Sequence, residues 1–351
     1  IQNVVYSEWL PSMGVQLAPY LAYDDTVDPR ILNVFSGAAF RMGHTLLNSA
    51  IIRIDNDGNE IAGGHLELQE AFFNPQSILF LGGGIDPLFK GMGTQVSQDF
   101  DCKVINDVRN FLFGPPGAGG LDLASININR GRERGLPDFN TIRADFGLTA
   151  YNSFSEINSD TLIAYSLEQL YGDINNIDPW VGMLAEEHMT DALFGETIME
   201  IMEFQFSVLR DGDRFYFEND TSLSVAEIVE IRNTTLHDII MRNTNISLMQ
   251  TNVFEAMPHN DICDPNLASG IAGVVTNQFG ENIQLVDVLL ENDSMATTSP
   301  FGEYEMDVLN CQEHTITLSR SDNPANGVTT FDMALIQKHI LQLDYFHLYP
   351  W

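Results

Sequence analysis

From the first residues to about 260, apolar side chains recur at three- and four-residue spacing; beyond Pro265 that rhythm gives way to short alternating runs. A period near 3.6 buries one face of a helix and a period of 2 one face of a strand. The switch therefore divides the chain into a large α part and a smaller β part, with a boundary near 265–270. Helices are predicted over 36–52, 100–113, 159–171, 179–189, 192–209 and 224–231, and Ile1, Val4, Val5 and Trp9 suit one more. Ser224 followed by Glu227 reads as a capping box. Glycine-rich breaks, Gly82-Gly83-Gly84 and the run Gly114 to Gly120, punctuate the α part. Asp55-Asn56-Asp57-Gly58 reads as a tight turn, since the remaining ligand spacing of a calcium loop is absent. Runs at 273–276, 283–290, 302–308 and 314–318 predict a small antiparallel sandwich, and Thr330 to Leu343 a last amphipathic helix. No repeat period is present.

Composition removes several function classes. Of 351 residues 49 are acidic and 16 basic, a net charge of −33. Such a surface repels nucleic acid and anionic lipid. It suits a salty medium, where charge is screened over roughly 8 Å or less. With 44% hydrophobic residues the chain can bury a core and is not a disordered tail. Cys102, Cys263 and Cys311 form neither a CxxC pair nor a zinc spacing; they allow one disulfide, of open pairing. No apolar run reaches the ~18 residues of a membrane span. The sequence opens at Ile1 without Met, inside what reads as a helix, so the true N-terminus is expected to lie upstream.

Two segments carry chemistry. In Phe40-Arg41-Met42-Gly43-His44, Arg41 and His44 are three apart on a face otherwise apolar, and Gly43 leaves room for something large and flat. A neutral imidazole and a cation on one apolar face suit haem: the imidazole ligates iron and the guanidinium pairs with a propionate. A lone helical histidine is more often a hydrogen-bonded core residue. The second segment, Leu121-Asp122-Leu123 through Asn127, Arg130-Gly131-Arg132-Glu133-Arg134 to Gly135-Leu136-Pro137, puts Asn127 and Arg130 on one helical face. Its three arginines either pair locally with Glu133, Asp138 and Asp145 or hold a carboxylated ligand.

Together, and in this order, the segments resemble the animal haem peroxidase family, which has a proximal Arg-x-x-His and a later Asn…Arg-(Gly/Ser)-Arg-Asp-His-Gly-Leu-Pro. Trp9-Leu10-Pro11, Gly83-Gly84-Ile85-Asp86-Pro87, Asn175-Asn176-Ile177-Asp178-Pro179-Trp180 and Leu209-Arg210-Asp211-Gly212-Asp213-Arg214-Phe215 are similar to further family landmarks. The resemblance covers residues 1–264. It implies the mainly α fold of that family, incomplete at its N-terminus, with His44 as proximal ligand of a b-type haem. Asn127 would accept a hydrogen bond from the other ring nitrogen, and Arg41 and Arg130 would hold propionates. Glu133-Arg134 departs from the family's Asp-His. The family's distal histidine and arginine, its calcium loop and the carboxylates that can link to haem fall before Ile1. The resemblance thus implies a peroxidase reducing hydrogen peroxide with a halide, phenolic or other donor, no catalytic residue within these residues, and inactivity of this chain alone.

Alternatives are a haem fatty-acid dioxygenase of the cyclooxygenase-like branch and a secreted adhesion or matrix protein that keeps the fold without the activity. Residues 271–318 resemble the carboxypeptidase-regulatory-like sandwich. Residues 319–351 are similar to half of a dockerin repeat, which would bind a partner protein. Both modules imply export from a bacterium, and the acidity a marine one.

Overall fold

The computed structural model describes residues 1–72, 74–76, 83–110, 121–262, 268–290, 294–309 and 315–320. The chain divides into two compact units, Ile1–Ile262 and Cys263–Trp351. The run Gly114 to Gly120, Cys263, Cys311, the expected helix from Thr330 to Leu343 and nearly all of the dockerin-like tail lie outside the described residues.

The first unit is built on the helix Glu196–Asp211. Its buried residues Ile198, Ile201, Met202, Gln205 and Phe206 follow the helical period, and they pack on Leu10, Phe139, Ile157, Met183 and Phe194. Gln205 is fully buried, so its amide needs partners. Its Oε1 accepts from the Leu32 amide at 2.8 Å and its Nε2 donates to the Arg30 carbonyl. That pair ties 30–32 to the core just before the helix Asn33–Gly37.

The predicted helix over 36–52 is not one helix. Asn33–Gly37 is α-helical, Ala38 breaks away at φ −137° and ψ −71°, and Ala39–His44 forms a tighter 3₁₀ helix. Beyond it, β1 (Ala50–Ile51) pairs antiparallel with β2 (Leu66–Glu67). Gly37 and Gly43 weaken the helix locally, and pairing with a strand some fifteen residues on leaves no trace in a local apolar period. Of the predicted 100–113 helix, Asn106–Arg109 is helical among the described residues. The predicted helices at 159–171, 179–189, 192–209 and 224–231 correspond to Thr161–Tyr171, Pro179–Ala185, Glu196–Asp211 and Val225–Asn233, the last with the Ser224–Glu227 capping box in place. Asp55 forms a turn, its Oδ1 accepting from the Asp57 and Asn59 amides.

In the second unit, β3 (Ala268–Val274) pairs antiparallel with β6 (Glu303–Leu309). A second sheet has the order β5 (Ser294–Thr297), β4 (Asp287–Leu290), β7 (Ile316–Ser319). Val288 from one sheet and Met306 from the other are buried in a shared small core. Strand β5 was not among the predicted runs.

Candidate functional site

His44 stands last in the 3₁₀ helix Ala39–His44. Three residues per turn make positions i and i+3 eclipse, so Arg41 lies directly over His44. One short side chain from elsewhere can therefore reach both. That side chain is Asn127, in the middle of the helix Leu123–Glu133 and fully buried. Asp122 caps this helix, accepting from the Ser125 amide at 3.1 Å. Gly131 faces inward beside Leu136, and Leu136 fits against Gly37, where a Cβ would come within 3.0 Å of Cδ1. The helix is thus seated on Asn33–Gly37.

Arg41 Nη1 donates to Asn127 Oδ1 at 2.7 Å, and Arg41 Nε donates to the Ser36 carbonyl at 3.1 Å. Asn127 Nδ2 lies 2.8 Å from His44 Nδ1. The roles of the two ring nitrogens depend on the tautomer: a neutral imidazole that ligates iron through Nε2 carries its one proton on Nδ1. Sequence reasoning expected Asn127 to accept from the ring and Arg41 to serve a propionate; Arg41 also bonds the Asn127 amide. Both Arg41 and His44 are half-buried. Burial, then the Arg41 charge, hold the His44 pKa below the ordinary histidine value, with the Asn127 bond acting the opposite way. Burial, then the Arg130 and Arg134 charges, lower that of Arg41.

Nδ1 is engaged, and Nε2 has no protein partner among the described residues. Gly43 precedes His44 in the chain, and a Cβ placed on it would meet nothing within 4 Å. A neutral imidazole with one nitrogen held by a buried amide and the other without a protein partner among the described residues suits a haem-iron ligand. Arg130 reaches Glu133 loosely, at 3.7 Å. The four residues singled out in sequence, Arg41, His44, Asn127 and Arg130, thus lie on two elements that meet.

Sequence reasoning missed three polar assemblies. Arg132 grips Asp178 through two bonds of 2.8 and 2.6 Å, joined by the Tyr171 hydroxyl at 3.0 Å, and ties the Asn127 helix to the start of Pro179–Ala185. Arg143 and Glu186, both buried, pair with each other; Glu186 also accepts from the Thr197 amide and the Tyr151 hydroxyl. Burial still pushes the Glu186 carboxyl up. Buried Lys90 donates to the Leu248 carbonyl at 2.8 Å and lies 3.1 Å from His259 Nδ1. A cation within an apolar period was the available signal for Arg143 and Lys90. Among the described residues, no group of three or more histidine, cysteine or acidic side chains could hold a metal ion.

The family model for animal haem peroxidases matches residues 1–254. Peroxinectin A of Dictyostelium discoideum is 37% identical over 255 residues, which are 72% of this chain and 47% of that protein. A human peroxidasin homologue is 36% identical over 272 residues, 74% of this chain and 18% of that one. Among solved structures, Peroxidase A from Dictyostelium discoideum superposes with a TM-score of 0.66 at 35% identity, covering 72% of this chain and 48% of that chain. A fatty acid alpha-dioxygenase from Oryza sativa gives a TM-score of 0.55 at 22% identity over 65% of this chain and 40% of its own, a likeness of fold alone. The chain spans about half the length of the first of these relatives and less of the second. Sequence and backbone agree over the same residues: the chain belongs to the animal haem peroxidase family.

Proposed function

We propose that these residues form the proximal, haem-holding side of a peroxidase that reduces hydrogen peroxide and oxidises a donor. The observation carrying the proposal is the contact between Asn127 Nδ2 and His44 Nδ1, made across 83 residues of sequence, with Nε2 left to ligate. Haem, when bound, supplies the iron at which peroxide is reduced. The chain's own residues do the holding. His44 presents Nε2, Asn127 fixes the ring, Arg41 fixes Asn127, and permanent cations beside them attract the carboxylates of the macrocycle.

Cleaving peroxide also needs a base to move a proton and a cation to steady developing charge. Among the described residues, His65 accepts from the Arg53 amide, His188 lies 2.9 Å from the Phe100 carbonyl, His237 lies 3.8 Å from Asp238 and His259 lies beside Lys90, so each is already engaged. The chain assayed alone should therefore turn over peroxide on the order of 10²-fold more slowly than the Dictyostelium relative assayed beside it. Equal rates with a common phenolic donor would show that the base and cation lie within these residues. A dioxygenase reading finds support only in fold likeness at low identity.

The second unit is read as a carboxypeptidase-regulatory-like sandwich, and 319–351 as a partner-binding, dockerin-like tail. Together with the acidity they support an extracellular, bacterial and marine setting. No described helix is long and apolar enough to cross a membrane.

A further inference from the structure

We propose that Arg132 is a positioning residue: its fork on Asp178 sets the roll of the helix Leu123–Glu133 and so keeps the Asn127 amide against the His44 ring. What this contributes to haem binding rests on the reading above.

The helix has a weak apolar grip. Asn127 and Gly131 are its buried residues, and Ala124 and Ile128 reach the core in part. Two polar ties come from residues 33–44: Asn33 Nδ2 donates to the Arg134 carbonyl at 3.0 Å, and Arg41 Nη1 donates to Asn127 Oδ1 at 2.7 Å. Asn127 and Arg134 lie two turns apart on one side of the helix, and a helix tied along one side can roll about its axis. At a side-chain radius of about 5 Å, a roll of about 20° carries an amide about 2 Å. That is enough to break the 2.8 Å contact of Asn127 Nδ2 with His44 Nδ1.

Arg132 resists the roll from the flank. It follows Asn127 by five residues, which places it about 140° around the helix and about 7.5 Å along it. Its Nε and Nη2 donate to the two oxygens of Asp178 at 2.8 and 2.6 Å, a two-bond fork that fixes direction as well as distance. The anchor is rigid. Asp178 is buried and accepts from the Tyr171 hydroxyl at 3.0 Å, and it opens the helix Pro179–Ala185, in which every residue but Val181 is buried. Gly182 of that helix lies so close to the Phe139 ring that no Cβ would fit. Among the described residues Arg132 bonds Asp178 and neither Asn127 nor His44, so its effect passes through the helix.

The test is a double-mutant cycle in the 351-residue chain. Arg132→Gln should weaken ferric haem binding about tenfold by absorbance titration, and should add no further loss once Asn127→Ala is in place. Its effect on melting temperature should be the same in both backgrounds, because the fork on Asp178 is there to be lost in each. Without haem, the His44 ring-nitrogen resonances of the histidine-labelled Arg132→Gln chain should move toward those of Asn127→Ala, and Asp178→Asn should reproduce the shift. Equal haem losses in the two backgrounds, or His44 resonances that Arg132→Gln leaves in place, overturn the assignment. A wild-type chain that binds no haem, with His44 resonances that still respond to Arg132→Gln, overturns the haem reading and supports the positioning role.

Discussion

Asn127 is the residue on which the site turns. Its amide meets both Arg41 and His44. Asn127→Ala removes both bonds and leaves a buried void next to a desolvated guanidinium. Partners that orient a metal-bound histidine commonly contribute 10–100-fold in affinity, so this variant should bind haem about 10–100-fold more weakly by absorbance titration. Unchanged affinity would mean that the imidazole is held by packing alone. The residue types were legible in sequence because Arg-x-x-His and Asn-x-x-Arg each fall on one face. The bond between Arg41 and Asn127 was not. It joins residues 86 positions apart on two separate helices, which no local pattern records.

Among the elements, the helix Leu123–Glu133 was legible only through its Asn127–Arg130 face, since its few apolar residues set up no helical period. The segment after Ala39 was not, because a two-residue strand pair and glycines at 37 and 43 override a helical period. The same limit hid Arg143 and Glu186, which meet across 43 residues in the packing of three helices. Their side chains are 3% and 1% exposed, so removing one strands the other in the core. Arg143→Ala should destabilise the first unit by about 3–5 kcal/mol in denaturant unfolding. A loss below about 1 kcal/mol would place the pair in contact with water.

For the whole molecule, acid is the relevant stress. Burial, then the Lys90 charge, lower the His259 pKa, while Asp55 and Asp57 act the other way. Below the ordinary histidine pKa of ~6.5 the unfolded chain takes up a proton that the folded one refuses, so stability falls with pH until the folded pKa is reached. Melting temperature followed from about pH 7.5 to 5 should therefore drop further in wild type than in His259→Gln. Parallel curves would remove His259 from the acid response. The central proposal is that His44 would hold the haem iron, and imidazole rescue tests it most directly. Haem added to the 351-residue chain should give a ligated absorption spectrum that His44→Ala loses and that millimolar free imidazole restores. A His44→Ala chain that keeps the wild-type spectrum without imidazole would contradict the account.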